Sequence, residues 1–300
     1  MKVVVAGASG FIGKALLALL HEQGHEVITL VRRTARAGEL RWDPANGHLE
    51  ARELDGVEAG ICLSGAGIGD HRWSAAYKDE VLASRVDTTR LLARTLGALS
   101  PRPRVLLAGS AIGYYGARGE EPLTEASSTG TGFLAEVVQR WEASAEPARD
   151  AGIRVAHLRT GIVQGRGGGA LARQELLFKL GLGGPLGSGR QWQSWITLED
   201  VVRAMAFLLD AEVAGPVNLT APNPLRQKDL AKALGRALHR PAVLPVPRFA
   251  LRTVLGGFAE DVLASQRVLP GALTDAGFTW TAPDIDTAFA RVLAATSAAT

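Results

Sequence analysis

Three hundred residues that are 47% hydrophobic suffice for a substantial core, as one large α/β domain or a large one with a small partner, and they exclude disorder. The formal charge of +3 balances 33 basic against 30 acidic residues with no long basic run, so the pI of 9.2 argues no nucleic-acid interface and suits an anionic cofactor equally well. The single cysteine, Cys62, excludes an intramolecular disulfide; no apolar run nears the roughly twenty residues of a membrane helix and no secretory leader is visible, so a soluble cytoplasmic protein is expected.

The chain opens on a β-branched run, Met1–Ala6, broken by Gly7-Ala8-Ser9-Gly10-Phe11-Ile12-Gly13 at the spacing G-x-x-G-x-x-G. A helix follows on Ala15–Leu20, Gly24 stops it, and Glu26–Val31 reads as a second buried strand. This βαβ unit predicts a dinucleotide site: glycines for the tight turn, for backbone approach to a pyrophosphate and for close helix packing. Free N–H groups of the helix start near Phe11 and Ile12 then face the phosphates.

The second strand ends in Arg32-Arg33, where an NAD site usually carries an acid. Two planar, permanently charged guanidiniums suit a 2′-phosphate, so NADP(H) is expected over NAD(H), the alternative being a solvated strand end.

A small hairpin is expected where Glu39–Trp42 and His48–Glu50 flank the turn Asp43–Gly47. Gly60–Leu63 reads as a central strand, and Leu63-Ser64-Gly65 begins a second Gly-rich turn that lies along the cofactor or is a plain loop. Trp73–Leu99 has helical periodicity, Arg104–Ala108 is the next strand, Phe133–Arg149 reads as one helix and Ile153–Leu158 as another strand. Strand and helix in alternation predict a parallel sheet covered on both faces.

After Arg159 the pattern changes to Gly-rich turns at 165–169 and 181–189, a helix over Leu171–Leu180, and a helix over Glu199–Leu209 with Thr197 as its cap. Val217–Leu219 reads as a short strand, Gln227–Leu238 and Pro283–Leu293 as amphipathic helices, and the end from Ala294 as a frayed tail. The expected division is a dinucleotide-binding part over residues 1–175, to which later segments can return, and a smaller substrate-side region over 176–300.

With Gly7, Gly10 and Gly13, the Ser110–Gly116 segment and the smaller C-terminal region in view, the chain resembles the extended short-chain dehydrogenase/reductase superfamily in its NAD-dependent epimerase/dehydratase branch. Ser84-Arg85, Trp141-Glu142, Arg159–Val163, Gly187–Gln191, Trp195-Ile196 and Leu263–Pro270 narrow the resemblance to an atypical group, often labelled "epimerase family protein", with a C-terminal module of unknown function. The resemblance implies a Rossmann-type doubly wound parallel sheet and a nicotinamide cofactor. It also implies that Glu80 and Arg85 approach the adenosine part of that cofactor, a solvated helical face being the alternative for Glu80. Ile162, after Arg159 at a strand end, is placed to contact the nicotinamide end.

Enzymes of the superfamily generally use a Tyr-x-x-x-Lys pair. Here the residues four after Tyr77, Tyr114 and Tyr115 are Val81, Arg118 and Gly119, and the positions that would carry the pair are Phe133 and Val137. The superfamily serine, four residues before Tyr115, is Ala111, beside Ser110. Ser110 with Tyr115 or Tyr114 therefore becomes the expected replacement, with Arg118 as a cation able to depress the phenol's pKa; packing of a turn is the alternative. Arg190, Trp192 and Trp195 are the candidate substrate wall, packing between the two regions being the alternative for the tryptophans, and the six scattered histidines show no metal-ligand spacing. Two functions stay open: an NADP(H)-dependent oxidoreductase or epimerase acting on a small polar molecule, and an NADP(H)-binding protein that catalyses nothing. Oligomeric state is not readable.

Overall fold

The structure is a computed structural model describing residues 1–294; the tail expected to fray lies, beyond Ala294, outside the described residues. Seven parallel strands form one sheet: β1 (Lys2–Ala6), β2 (Glu26–Val31), β3 (Glu39–Arg41), β4 (Ala59–Cys62), β5 (Val105–Ala111), β6 (Arg154–Thr160) and β7 (Gly215–Leu219). Their spatial order is 3-2-1-4-5-6-7. The chain winds outward in one direction from β1 and in the other from β4, so the switch point lies between those two strands.

Side chains alternate across the sheet, as parallel strands buried on both faces require. Val3, Val5, Ile61, Val105, Leu107 and Leu158 face one side, where helices α1 (Phe11–Glu22) and, later in the chain, Leu198–Asp210 pack. Val4, Ala6, Cys62, Leu106 and Ala108 face the other, against α2 (Ala75–Gly97) and its neighbours. Burial pushes the Cys62 thiol above its ordinary pKa, consistent with a packed, inert side chain.

Three local expectations are corrected. Asp43 and His48 do exchange hydrogen bonds of 2.8 and 2.9 Å, but only β3 is a strand, and it pairs in parallel with β2 while His48–Glu50 runs into a 3-10 turn. A lone two-residue bridge cannot compete with the sheet edge. The helix expected over Phe133–Arg149 is two, α3 (Phe133–Ala143) and α4 (Glu146–Asp150), because Pro147 lacks the N–H to continue the first. β5 runs to Ala111, which puts Ser110 inside the sheet.

Beyond β6 the chain leaves the sheet. Ile162–Gln164 pairs with Trp195–Thr197, enclosing α5 (Gly169–Lys179). The Thr197 hydroxyl caps α6 (Leu198–Asp210) by accepting from the Asp200 N–H, and the chain returns as β7. α7 (Gln227–Leu238) follows, then α8 (Arg248–Leu255), α9 (Phe258–Val262), α10 (Gly271–Asp275) and α11 (Ile285–Ala294). Trp195, Leu230, Leu234, Ala288 and Phe289 form the separate core of this region.

Candidate functional site

At the switch point the β1 turn has no room for side chains. Gly7 sits at φ +85°, and a Cβ there would come 2.6 Å from the Leu63 carbonyl carbon; one on Gly13 would run into the Gly7 carbonyl oxygen. Ser9 and Gly10 are exposed, Phe11 and Ile12 half-buried. No side chain caps α1 and no acid stands in its first turn, so the N–H groups of its first turn stay open at its positive end. The two glycine clashes make the cradle backbone-only, which fits a dinucleotide pyrophosphate.

The Phe11 ring fills space left by a second glycine turn: a Cβ on Gly165 would lie 2.8 Å from the ring, and one on Gly168 2.5 Å. The first turn thus supports the segment that leads into α5. The crowding of glycines at 165–169 was its only visible signal.

Beyond β4, the Ala66 N–H donates to Ser84 Oγ at 3.0 Å, fastening the Leu63–Gly65 turn to α2. Arg85 lies beneath it: a Cβ on Gly65 would be 3.1 Å from the guanidinium carbon, which is 5.2 Å from the Trp141 ring. Burial pulls Arg85 down to about 10. Glu80 stands exposed on α2, and the Ile162 N–H donates to the Ser194 carbonyl at 3.0 Å.

The two arginines after β2 differ. Arg33 forks onto Glu39 at 2.7 and 2.6 Å, and that bond, with the Arg36 N–H, holds the Glu39 carboxyl at about 2. Arg32 is exposed and has no hydrogen-bond or ion-pair partner among the described residues.

Ser110 and Tyr115 come together, but through other side chains. Ser110 Oγ donates to Glu142 at 2.6 Å; Arg159 grips the same carboxylate at 2.8 and 2.9 Å and donates to the Tyr115 hydroxyl at 3.1 Å. That hydroxyl donates to Asn218 Oδ1 at 2.7 Å. Ser110, Arg159 and Asn218 occupy matching register positions on β5, β6 and β7, so one polar row crosses three strands.

Burial works against the Arg159 charge, but the Glu142 bonds and attraction hold its pKa above the ordinary value. Burial raises the Tyr115 phenol too, against the pull of Arg159. The expected depression by Arg118 is therefore corrected: Arg118 forks onto Glu121 at 2.8 and 2.7 Å. Glu142, Arg159 and Asn218 were missed as members of this network. Their signal was charge or amide on otherwise apolar buried elements.

The expected substrate wall divides. Trp195 is fully buried in the C-terminal core and donates to the Asn223 carbonyl at 3.2 Å, so it packs and faces no cleft. Half-buried Trp192 donates to Glu120 at 2.9 Å, with the Arg226 and Arg267 guanidiniums 4.2 and 4.8 Å from its ring, while the Arg190 side chain is exposed. Glu120, held at about 2 by Arg226 and Trp192, closes that set.

A different corner forms past the carboxyl ends of β4 and β5. Trp73 meets Phe133 and Phe258 at centroid distances of 5.0 and 5.5 Å, and the Lys78 ammonium lies 4.9 Å from the Phe133 ring. Phe133 stands where the superfamily tyrosine was expected; Val137 is buried. Near them burial raises the Asp261 carboxyl to about 6, with Lys78 pulling the other way. Among the described residues no cluster of His, Cys, Asp or Glu could hold a metal, and no helix is long and apolar enough to cross a membrane.

Residues 3–220 match the model of the NAD dependent epimerase/dehydratase family, and 246–292 match a domain of unknown function, DUF1731. "Epimerase family protein MT2273" of Mycobacterium tuberculosis is 42% identical over 279 residues, covering 92% of each chain. The crystal structure of human epimerase family protein SDR39U1 (isoform2) with NADPH superposes at TM-score 0.90 with 33% identity, over 97% of this chain and 99% of that one. A nucleoside-diphosphate sugar epimerase from Corynebacterium glutamicum superposes at 0.81 with 36% identity, over 98% of this chain and 58% of the other.

Proposed function

The chain belongs to the NAD dependent epimerase/dehydratase family, and from that premise we propose that it is an NADP(H)-binding oxidoreductase or epimerase of the extended short-chain type. The observation that carries this reading is the backbone-only cradle of Gly7, Gly10 and Gly13 at the open start of α1. The NADPH held by the human relative supports the phosphate form of the cofactor.

In this reading the N–H groups of Phe11, Ile12 and Gly13 bind the pyrophosphate, and Arg32 meets the 2′-phosphate with Arg33 beside it. Leu63, Ser64 and Gly65 run along the dinucleotide, with Arg85 bracing that turn and Glu80 at its adenosine end. Ile162 borders the nicotinamide. When bound, the cofactor supplies or accepts a hydride at the substrate carbon.

The protein's part is positioning and proton handling. Ser110 and Tyr115 act through the buried Glu142–Arg159 pair, setting the strand ends. Lys78 and Asp261, at the corner where Phe133 stands in place of the superfamily tyrosine, are the charged side chains offered there for proton transfer. The substrate is a small molecule with a carbonyl or hydroxyl group, admitted past Arg190 and Trp192 on the substrate-side region from about residue 176. A cytoplasmic location, and no nucleic-acid or membrane partner, belong to the same proposal.

Phe133 and Val137 in place of Tyr-x-x-x-Lys favour a second reading, a non-catalytic NADP(H) sensor. Titration with NADPH, NADP⁺, NADH and NAD⁺, followed by NADPH oxidation across a carbonyl library, separates them. Tight NADP(H) binding that collapses in Arg32→Ala/Arg33→Ala supports both readings, and turnover selects the enzyme. Equal or absent binding of all four nucleotides overturns both.

A further inference from the structure

Eight arginines are buried or half-buried among the described residues, and seven of them donate through the guanidinium to a protein carboxylate or carbonyl. Arg267 is the eighth. Its side chain makes no hydrogen bond or ion pair among the described residues, and its Nε is shut off from water. A guanidinium is a fork of five donors, and a charge drawn partly out of water with none of them used is costly.

The Arg267 guanidinium stands 4.8 Å from the Trp192 ring, to which Arg226 has already come within 4.2 Å. Arg226 is fully engaged: it forks onto Glu120 at 2.8 and 2.6 Å and donates to the Arg190 carbonyl at 2.5 Å. The nearby acids, Glu120 and Asp229, both act on Arg226, and neither is bonded to Arg267. Arg190, two residues before Trp192, adds its charge to the pull on Glu120, yet its exposed side chain has no partner of its own among the described residues. A second guanidinium beside one ring therefore brings like charge that the local carboxylates do not offset.

The unpaired charge is held in place. The Trp192 N–H donates to Ser265 Oγ at 3.0 Å, and that hydroxyl donates to the Gly119 carbonyl at 2.7 Å. The Gln266 N–H donates to the Trp192 carbonyl at 3.1 Å, while its side-chain amide donates to the Ile112 and Gly116 carbonyls at 3.0 and 3.1 Å. Val268 packs with Ile112 and Tyr115 on the same side, so the alternation of an extended chain turns Arg267 the other way, onto Trp192. The turn that Gln266 grips leaves β5 at its carboxyl end, the edge beyond which ligands of an open α/β sheet lie.

We propose that Arg267, with Arg190 beside Trp192, binds an oxyanion of the substrate, a phosphate or carboxylate group. This assignment rests on the cofactor reading above and narrows its substrate from a small polar molecule to an anionic carbonyl compound or alcohol. The planar guanidinium fork matches two oxygens of either group, and a head fixed in advance by Trp192 loses little freedom on binding.

The test uses the full chain saturated with NADPH, which keeps the probe out of the cofactor site, at constant ionic strength. Inorganic phosphate is titrated calorimetrically, and benzaldehyde is compared with 4-carboxybenzaldehyde as carbonyl probes. Phosphate is expected to bind, and 4-carboxybenzaldehyde to displace it and to bind about tenfold tighter than benzaldehyde, as one charge-assisted fork implies. Arg267→Gln is expected to weaken phosphate about tenfold or more and to abolish the preference for the carboxylate probe, with Arg267→Lys recovering only part of it. Arg190→Ala, at an exposed side chain whose loss does not threaten the fold, is expected to weaken phosphate about threefold. The NADPH dissociation constant stays unchanged in all three.

Phosphate binding unchanged in both Arg267→Gln and Arg190→Ala, or matched by chloride at the same ionic strength, overturns the proposal. Phosphate held at Arg267 while the two aldehydes bind alike marks a site for free phosphate and overturns the assignment to the substrate. In the absence of NADPH, phosphate binding that Arg32→Ala removes and Arg267→Gln does not belongs to the cofactor cradle and overturns this site alone. Phosphate binding lost in Arg267→Gln by a chain that binds no NADPH keeps this site and overturns the cofactor reading, so the two failures are distinguishable.

Discussion

Arg159 and Glu142 form a two-pronged ion pair, 2.8 and 2.9 Å, beneath the carboxyl ends of β5 to β7, with side chains only 4% and 13% exposed. Neither charge has an alternative partner of opposite sign in the network. Removing one leaves the other buried and uncompensated. Glu142→Ala is expected to lower stability by about 3–5 kcal/mol in urea unfolding. A loss below about 1 kcal/mol would mean that water already reaches the pair.

The unequal surroundings of the two arginines after β2 set an order. Arg32→Ala is expected to weaken NADPH binding roughly tenfold to a hundredfold and leave NADH unchanged, as loss of a charge-assisted phosphate bond would. Arg33→Ala also frees Glu39, an acid beside the site, and is expected to weaken NADPH less while improving NADH. Calorimetric titration of both variants with both nucleotides checks the order; identical profiles would refute it.

Gly7→Ala places a Cβ 2.6 Å from the Leu63 carbonyl carbon at a φ of +85°. A destabilisation of about 2 kcal/mol or more is expected from the backbone conformation and the overlap together. NADPH affinity should fall with it, because the turn and the β4 end must part. Thermal melting with and without NADPH reads both effects.

Asp261 gives a pH signature. Its carboxyl titrates at about 6 in the folded chain, above the ordinary 3.8, so the folded state holds a proton that the unfolded state has released. Stability therefore falls as pH rises from about 4 to 6, and the deficit is complete above that. Asp261→Asn is expected to be more stable than the parent at pH 7.5 by about 1–3 kcal/mol, with the gain gone below pH 4. A gain that persists at pH 3.5 would point to packing instead.

The β1–α1–β2 unit was readable almost to the residue, because its turn, helix and strands are specified by neighbours within a few positions. α7 began at Gln227 and ended at Leu238 as its periodicity indicates. What was not readable depends on partners distant in the chain. Nothing near Trp195 says that it is enclosed by Leu230 and Phe289, and nothing near Tyr115 names Arg159 and Asn218 as its partners. The aromatic corner likewise gathers Trp73, Phe133 and Phe258 from three parts of the chain. Glu39 was legible as an extended residue, but its grip on Arg33 depends on β3 joining the sheet edge.

The row of Ser110, Arg159 and Asn218 also bears on how the chain assembles. Asn218 gives its amide to the Leu269 carbonyl at 2.9 Å, and one Glu125 oxygen accepts from the backbone of both Asn218 and Ala272, at 3.0 and 3.1 Å. The segment after α9 thus gains, beside its bonds to Leu123 and Ser194, a further anchor on β7, a strand fifty residues earlier in the chain. The register of β7 is thereby coupled to the fit of the C-terminal segment: a one-residue slip of β7 would turn Asn218 away and remove its bond to Leu269, while the bonds of that segment to Leu123 and Ser194 would stay.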